Sequence, residues 1–296
     1  MQYSILSRYE NAGIYLSIPI SRKIGTKFKK ARTLHIWLNN RKVKKVKNIL
    51  KKNLKAGKQQ YGTWITIESP IVCELMSSLG FDYFVIDTEH APLDHLMVQT
   101  LIQAMRPDTK TTPIVRVWWN DLVAIKRVLD IGAHGIMVPW INNKKDAEMA
   151  VKATRYAPAG LRGCGPRRAA MFDPDYLQTA DEEILVVAQI ETVEAVSNIN
   201  DICSTEGIDV VYVGPTDLSA SHGHLGNISH PDVQAAIDKV YDAARDHGIS
   251  AGIHFGSGKT IPERITKGYD FCTLGNDLLY LKAGVQNQFK KLGLSK

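Results

Sequence analysis

Two carboxylates stand at the ends of two consecutive apolar runs. Glu191 follows residues 184–190 (ILVVAQI), and Asp217 follows residues 209–214 (DVVYVG), 26 positions further along the chain. A run that is apolar on both faces and rich in Val and Ile is typical of a parallel strand covered by helices. Neighbouring strands lie about 4.8 Å apart, so acids at their equivalent ends can hold one cation or one substrate. The alternative is a pair of ordinary strand-end acids at helix caps.

These acids would be positioned by eight apolar runs. Each run is followed by a segment with apolar residues at i, i+3 and i+4, the spacing of a helix. The pattern predicts an α/β fold of the (β/α)₈ TIM-barrel type, for which the length from Tyr61 onward is suitable. A doubly wound open sheet is the alternative, but no dinucleotide fingerprint follows the first run. The eight runs are residues 61–67, 81–87, 112–117, 134–141, 184–190, 209–214, 248–255 and 269–275.

Ionisable residues follow several of the predicted strands. The second run ends at Asp87 and is followed closely by Glu89 and His90. The third run contains Arg116. In a barrel of this kind the chemistry lies on the loops after the strands. We therefore expect these side chains to converge with Glu191 and Asp217 on one rim, as an active site.

The charge of the chain is distributed unevenly. The net charge is +7, but residues 1–60 carry 16 Lys and Arg against one acid, so this segment holds +15 and the remainder −8. The asymmetry predicts a basic N-terminal extension, residues 1–45, joined to a barrel domain, residues 46–296. A solvated or poorly ordered extension, an organelle-targeting segment and a polyanion-binding arm are three interpretations of it; the high pI by itself does not indicate a nucleic-acid-binding fold.

Other classes of protein are disfavoured by what the sequence lacks. No apolar stretch reaches the 18 residues that a transmembrane helix needs, so no membrane span is expected. The four cysteines, Cys73, Cys164, Cys203 and Cys272, are widely spaced and form no CxxC pair. Reduced, cytoplasmic conditions are therefore expected.

Several motifs, taken in order, resemble one known family. They are GFDYFVIDTEHAPLD, IVRVWWND, VLDIGAHGIMVP, ATRYAPAGLRGCG, QIET, and VGPTDLSASHGHLGN with HPDVQAAI. They resemble the HpcH/HpaI family of class II, metal-dependent pyruvate aldolases over about residues 54–292, and the basic extension has no counterpart. The resemblance implies an enzyme that reversibly cleaves a 4-hydroxy-2-oxo acid to pyruvate and an aldehyde in the catabolism of aromatic compounds. It also implies a cytoplasmic homo-oligomer, specifically a hexamer.

The resemblance also assigns catalytic roles. Glu191 and Asp217 would bind a divalent metal cation, Mg²⁺, Mn²⁺ or Co²⁺, that stabilises the pyruvate enolate as a Lewis acid. Arg116 would donate hydrogen bonds to the keto oxygen. His90 would act as the base, because histidine is the side chain that ordinarily exchanges a proton near neutral pH, and it would be paired with Asp130 of a neighbouring subunit.

Further positions follow from the same resemblance. Asp87 would orient a metal-bound water, and backbone N–H groups around Gly214 and Thr216 would hold the pyruvate carboxylate. Trp64 and His254 are expected to bind substrate. A related member, macrophomate synthase, implies oxaloacetate decarboxylation followed by enolate addition as an alternative. A polyanion-binding protein acting through the basic extension is the alternative from a different class, although nucleic acid is not the expected partner.

Overall fold

The computed structural model describes the backbone of strands within residues 9–39 and, in full, residues 48–105, 108–255 and 261–294. The chain divides into two compact units, residues 1–46 and 47–296. In the first, β1 (Tyr9–Glu10), β2 (Gly13–Ile20) and β3 (Arg32–Asn39) form an antiparallel sheet in that order. These strands were not predicted from the sequence, although apolar residues alternate along both β2 and β3.

The second unit is a closed barrel of eight parallel strands. All eight predicted strands are present, which confirms the (β/α)₈ fold. Their bounds are β4 Gln60–Ile65, β5 Tyr83–Asp87, β6 Thr112–Arg116, β7 Gly135–Val138, β8 Leu185–Ile190, β9 Val210–Val213, β10 Ser250–Phe255 and β11 Phe271–Asn276. The barrel closes through parallel pairing of β11 with β4.

Twelve α-helices are described in this unit, many of them beginning at a capping side chain. Ser69, Asp94, Asp121, Asn143 and Thr192, for example, each accept a hydrogen bond from a first-turn N–H group. The helices are α1 Ile49–Lys55, α2 Pro70–Ser77, α3 His95–Ala104, α4 Leu122–Asp130, α5 Lys144–Thr154, α6 Tyr176–Glu183, α7 Val193–Ser197, α8 Ile199–Cys203, α9 Pro215–Ser221, α10 Pro231–Asp246, α11 Ile261–Lys267 and α12 Asp277–Lys291. None of these helices has the length and apolar composition required to span a membrane.

A repeated tripeptide, Gly-apolar-Asp, leads into three of the strands. It occurs at residues 80–82, 207–209 and 268–270, and each glycine has a positive φ, from 92° to 109°, which a side chain would strain. Each aspartate then accepts a backbone N–H from the neighbouring strand segment: Asp82 from Tyr61, Asp209 from Val186 and Asp270 from Ala251. The turn and the acid together set the register at the N-terminal end of the barrel.

The core has two layers. Alternate strand residues, including Tyr83, Val85 and Ile114, fill the barrel, where Tyr83 stacks on Phe271 with ring centroids 4.1 Å apart. Leu50 and Leu54 of α1 join this inner cluster. The other strand residues pack against the helices in the larger outer cluster. Because side chains alternate along a strand, Asp87, Gln189 and His254 continue the inner rows of their strands beyond the apolar filling.

Candidate active site

Asp87 and Arg116 form the centre of the polar rim. They end β5 and β6 and are paired in the strand register. Arg116 donates from Nε to Asp87 Oδ1 at 2.9 Å and from Nη2 to Oδ2 at 2.7 Å. Asp87 Oδ1 also accepts the backbone N–H groups of Glu89 and His90. Asp87 therefore fixes both the guanidinium and the loop after β5; its expected role in orienting a metal-bound water stays a prediction.

Arg116 is held on its remaining sides as well. Its Nη1 lies 3.0 Å from Glu89 Oε2, and its guanidinium carbon lies 4.2 Å from the centre of the Trp64 ring. Although burial opposes the charged form, Asp87 and Glu89 together raise the pKa of Arg116. The result is a fixed, permanently charged, planar donor on the rim of the barrel.

Glu191 and Asp217 converge beside Gly214, as the sequence predicted. A Cβ atom placed on Gly214 would lie 3.3 Å from Glu191 Oε2 and 3.7 Å from Asp217 Oδ2, so both oxygens border the same small space. Asp217 lies in the first turn of α9, which follows β9 directly. Gln189 Nε2 donates to Glu191 Oε2 at 2.7 Å, whereas Gln189 Oε1 is buried and has no hydrogen-bond partner within the described part of the chain.

The rim holds a surplus of negative charge. Glu191 is 3% exposed, and this burial, together with the nearby charges of Glu89 and Asp217, raises its pKa to about 7. The N–H group that Trp140 donates to Glu191 acts in the opposite direction and lowers the pKa. Burial likewise raises the pKa of Glu89, an effect that Arg116 partly offsets. The described rim thus contains four acids, Asp87, Glu89, Glu191 and Asp217, and one cation, Arg116.

This donor set fits a divalent cation. Two carboxylate oxygens beside an open glycine, with no sulfur or imidazole between them, match the oxygen ligation that Mg²⁺, Mn²⁺ and Co²⁺ accept. A cation here would also offset the burial and the neighbouring negative charges that raise the pKa of Glu191. Glu191 and Asp217 are the residues that would hold it.

Trp140 supports Glu191 through its backbone. Its N–H donates to Glu191 Oε1 at 2.9 Å, and its φ of 55° is the one positive value at a non-glycine residue in the described chain. A bulky residue in this conformation is strained, and such strain concentrates at functional sites. The loop after β7 thus sustains strain while directing an N–H group at the buried carboxylate.

His254 is a neutral hydrogen-bonding group in this site. Trp64 Nε1 donates to His254 Nδ1 at 3.1 Å, which leaves Nε2 as the protonated nitrogen of a neutral ring. Burial, reinforced by Arg116, lowers the pKa of His254 to about 4. At neutral pH this side chain can donate to a substrate oxygen but carries no charge.

His90 and Asp130, predicted as a catalytic pair, lie apart in the single chain. The side chain of His90 is 65% exposed at the mouth of the site, with Nε2 4.0 Å from Glu89 Oε2. Asp130 ends α4 and accepts a hydrogen bond from Arg162 Nη2 at 2.8 Å. The predicted pairing would require Asp130 of another subunit, and it stays a prediction.

Most of the predicted residues line one cavity of about 350 Å³. Those in its wall are Trp64, Asp87, His90, Arg116, Gly214, Thr216, Asp217 and His254. Glu191 adjoins the cavity through its contacts with Gln189 and Gly214, whereas Asp130 is not among the lining residues. The first-turn N–H groups at Thr216 and Asp217 have no partner within α9, since a helix leaves its first N–H groups unpaired.

Sequence reasoning missed some residues of the site. Gln189, Tyr212 and Asn276 line the cavity but were not predicted, and Glu89 was noted only as a strand-end acid. Gln189 had a detectable signal, because it lies two residues before Glu191 and therefore on the same face of the strand. Tyr212 had none, since an aromatic residue inside an apolar run is indistinguishable from core.

Comparison with known proteins agrees with this geometry. Residues 60–282 match the family described as HpcH/HpaI aldolase/citrate lyase. The chain is 40% identical over 252 residues to a 4-hydroxy-2-oxo-heptane-1,7-dioate aldolase of Escherichia coli, covering 84% of this chain and 96% of that protein.

Solved structures show the same relationship. An HpcH/HpaI aldolase/citrate lyase family protein from Burkholderia cenocepacia superposes with a TM-score of 0.80 at 35% identity, covering 83% of this chain and 99% of that one. Macrophomate synthase superposes with a TM-score of 0.74 at 26% identity, covering 83% and 88%. The predicted resemblance is confirmed: the chain belongs to the HpcH/HpaI aldolase/citrate lyase family and is an enzyme of the lyase class.

Proposed function

We propose that this enzyme reversibly cleaves a 4-hydroxy-2-oxo acid to pyruvate and an aldehyde, with a divalent cation bound by Glu191 and Asp217. The observation that carries the proposal is the convergence of these two carboxylates beside Gly214, in the wall of the cavity that also contains Arg116. The name of the E. coli relative, a 4-hydroxy-2-oxo-heptane-1,7-dioate aldolase, supports the same class of substrate.

Charge development at the keto oxygen is the main chemical problem in this reaction. When bound, the cation would supply Lewis-acid stabilisation of the negative charge that develops there. Arg116 donates hydrogen bonds to the same oxygen. Because two hydrogen bonds to Asp87 hold the guanidinium in place, little reorganisation is needed as negative charge develops on the keto oxygen. Trp64 beneath the guanidinium limits its movement further.

Proton transfer needs a different residue. Cleavage of the aldol requires removal of a proton from the 4-hydroxyl group, and His90 at the cavity mouth is the candidate base. The low pKa of His254 makes it a poor acceptor of that proton, so it serves as a neutral donor. The N–H groups at Thr216 and Asp217 are available to the substrate carboxylate.

Removal and restoration of the cation test the proposal. The full chain is dialysed exhaustively against EDTA and assayed for pyruvate release from 4-hydroxy-2-oxo acids of different chain length. Activity should disappear and return on addition of Mg²⁺, Mn²⁺ or Co²⁺. Full activity in the EDTA-treated enzyme would contradict the role of the cation.

Oxaloacetate decarboxylation is a second candidate, favoured by the structural similarity to macrophomate synthase. It needs the same stabilisation of a keto oxygen but no proton transfer from a hydroxyl group. Assays on oxaloacetate, with and without aldehyde acceptors, separate the two candidates by their relative kcat/KM.

A further inference from the structure

The loop between α9 and α10 brings two histidines and an aspartate together, outside the barrel cavity. His224 Nε2 lies 3.4 Å from Asp232 Oδ2, and His230 Nδ1 lies 3.6 Å from the same oxygen. The two imidazole rings are stacked with centroids 3.4 Å apart. The possible ligand atoms of these three residues all lie within 4.8 Å of one another. Among the described residues, no other set of three or more His, Cys, Asp or Glu side chains is this close.

Two of the three donor separations match metal ligation, and the stacked rings would turn on binding so that both nitrogens face one ion. A tetrahedral Zn²⁺ site with ligands at about 2.0–2.1 Å places neighbouring donor atoms roughly 3.4 Å apart. The two measured nitrogen–oxygen separations, 3.4 and 3.6 Å, are close to this value. Three side chains would occupy three positions, and the fourth would be open to solvent.

The state of the donors also suits a metal. His230 Nδ1 accepts the backbone N–H of Asp232 in a long hydrogen bond of 3.3 Å, so this nitrogen is unprotonated, and its one lone pair would exchange this weak hydrogen bond for the ion. His230 caps α10 and Asp232 lies in its first turn, where the helix dipole disfavours a cation. The carboxylate of Asp232 offsets that effect, and imidazole nitrogen favours Zn²⁺, Ni²⁺ or Cu²⁺ over Mg²⁺.

The loop is ordered by its own hydrogen bonds. His224 N–H donates to the Ser219 carbonyl at 2.7 Å, and Asn227 N–H donates to the His224 carbonyl at 2.8 Å. Gly226 N–H donates to Ser219 Oγ at 3.1 Å. The ligand-bearing backbone is thereby held in place before any ion binds.

We propose that His224, His230 and Asp232 form a second divalent-metal site, selective for Zn²⁺-class ions and separate from Glu191 and Asp217. The ion would tie the loop that follows α9 to the start of α10. Since α9 carries Asp217 in its first turn, the site would stabilise the helix that supplies a catalytic acid.

Cobalt provides the test, because Co²⁺ in a tetrahedral nitrogen–oxygen site absorbs strongly in the visible range and Co²⁺ in an octahedral oxygen site absorbs weakly. The full chain carrying Glu191→Gln is freed of metal and titrated with Co²⁺. We expect a tetrahedral spectrum that saturates at one equivalent and is displaced by Zn²⁺ but not by Mg²⁺.

Matched variants locate the signal. In the same background, His224→Ala and Asp232→Asn should each weaken Co²⁺ binding by about 100-fold or more. His247→Ala, which removes a histidine at the opposite end of α10, should leave it unchanged. Absence of the tetrahedral spectrum from the parent, or equal binding by the parent and His224→Ala, would overturn the proposal; thermal unfolding of each variant shows that it is folded.

Discussion

The two ends of the barrel both bury charged residues, but their charges are balanced differently. At the N-terminal end Lys51 lies 2.9 Å from Asp209, and Arg245 lies 2.9 Å from Asp270. Each of these aspartates has one cationic partner and one backbone N–H donor. At the C-terminal end, Arg116 is the one cation that the described residues place with Asp87, Glu89, Glu191 and Asp217.

The difference predicts which acids could bind a ligand. Asp209 and Asp270 each pair with a cation and accept an N–H group from a neighbouring strand segment, so they stabilise the register. At the C-terminal end Asp87 takes two of the Arg116 donors, and Glu191 and Asp217 have no ion-pair partner among the described residues. Cavity size does not make this distinction, because a larger cavity of about 1100 Å³ opens at the N-terminal end, where it is bordered by Lys51, Asp209, Arg245 and Asp270. We therefore assign the candidate active site by its unbalanced charge and not by its volume.

We expect the largest effect from replacing an acid at the C-terminal end of the barrel. Glu191→Gln or Asp217→Asn should reduce kcat/KM for both 4-hydroxy-2-oxo acid cleavage and oxaloacetate decarboxylation by roughly 10³-fold or more, because several kcal/mol of Lewis-acid stabilisation are lost.

The matched control is Asp209→Asn at the N-terminal end of the barrel, where Asp209 is paired with Lys51. It leaves the charge of Lys51 buried and uncompensated, so it should lower the free energy of unfolding by about 3–5 kcal/mol while the folded fraction keeps its kcat. Equal loss of kcat in both sets of variants would remove the distinction between the two ends.

Replacing His90 tests whether the C-terminal end contains a base distinct from its charge-stabilising groups. His90→Ala should slow aldol cleavage by roughly 10²–10⁴-fold. Decarboxylation of oxaloacetate needs no hydroxyl proton, so its kcat should fall much less. If both reactions slow equally, His90 supports the site and the base lies elsewhere.

Arg116→Lys tests the geometry of the single cation while keeping its charge. Lysine cannot reproduce the two hydrogen bonds to Asp87 together with the contact to Glu89. We expect kcat to fall by roughly 10²–10³-fold with a smaller change in KM. Arg245→Lys at the other end is the control, and its kcat should stay near that of the parent.

The smallest effect concerns stability as a function of pH. The pKa of Glu191, about 7 in the folded chain, lies above its ordinary value of 4.5. A raised folded-state pKa means that the native state binds this proton more tightly, so the contribution is complete below pH 4.5 and is lost as pH rises through 7. In EDTA, Glu191→Gln should therefore be more stable than the parent at pH 8, by about 1–3 kcal/mol, and the gap should narrow towards pH 5.

Denaturant unfolding at the two pH values measures this gap. Addition of Mn²⁺ at pH 8 should stabilise the parent and have little effect on Glu191→Gln, because a ligand stabilises only the state that binds it. A constant difference between parent and variant from pH 5 to 8 would mean that Glu191 does not titrate in this range.

The barrel could be predicted from the sequence, and so could the convergence of its strand-end residues on one rim, because both depend on local periodicity. Continuous apolar runs specify buried parallel strands, and the closed fold then brings the residues after those runs to one rim. Asp87, Arg116, Glu191 and Asp217 were found in this way. The strands of the N-terminal segment were missed although apolar residues alternate along β2 and β3, because the high positive charge of the segment favoured an extension without regular structure.

Only the tertiary structure decided what each charged residue does. Asp87 and Asp209 are both acids at the end of a strand, yet the first holds Arg116 in the candidate active-site cavity and the second holds Lys51 at the N-terminal end of the barrel. Their neighbours in space are distant in sequence, and it is these neighbours that determine burial, charge balance and pKa. The low pKa of His254, the strained Trp140 that supports Glu191 and the clustering of His224, His230 and Asp232 arise from such contacts.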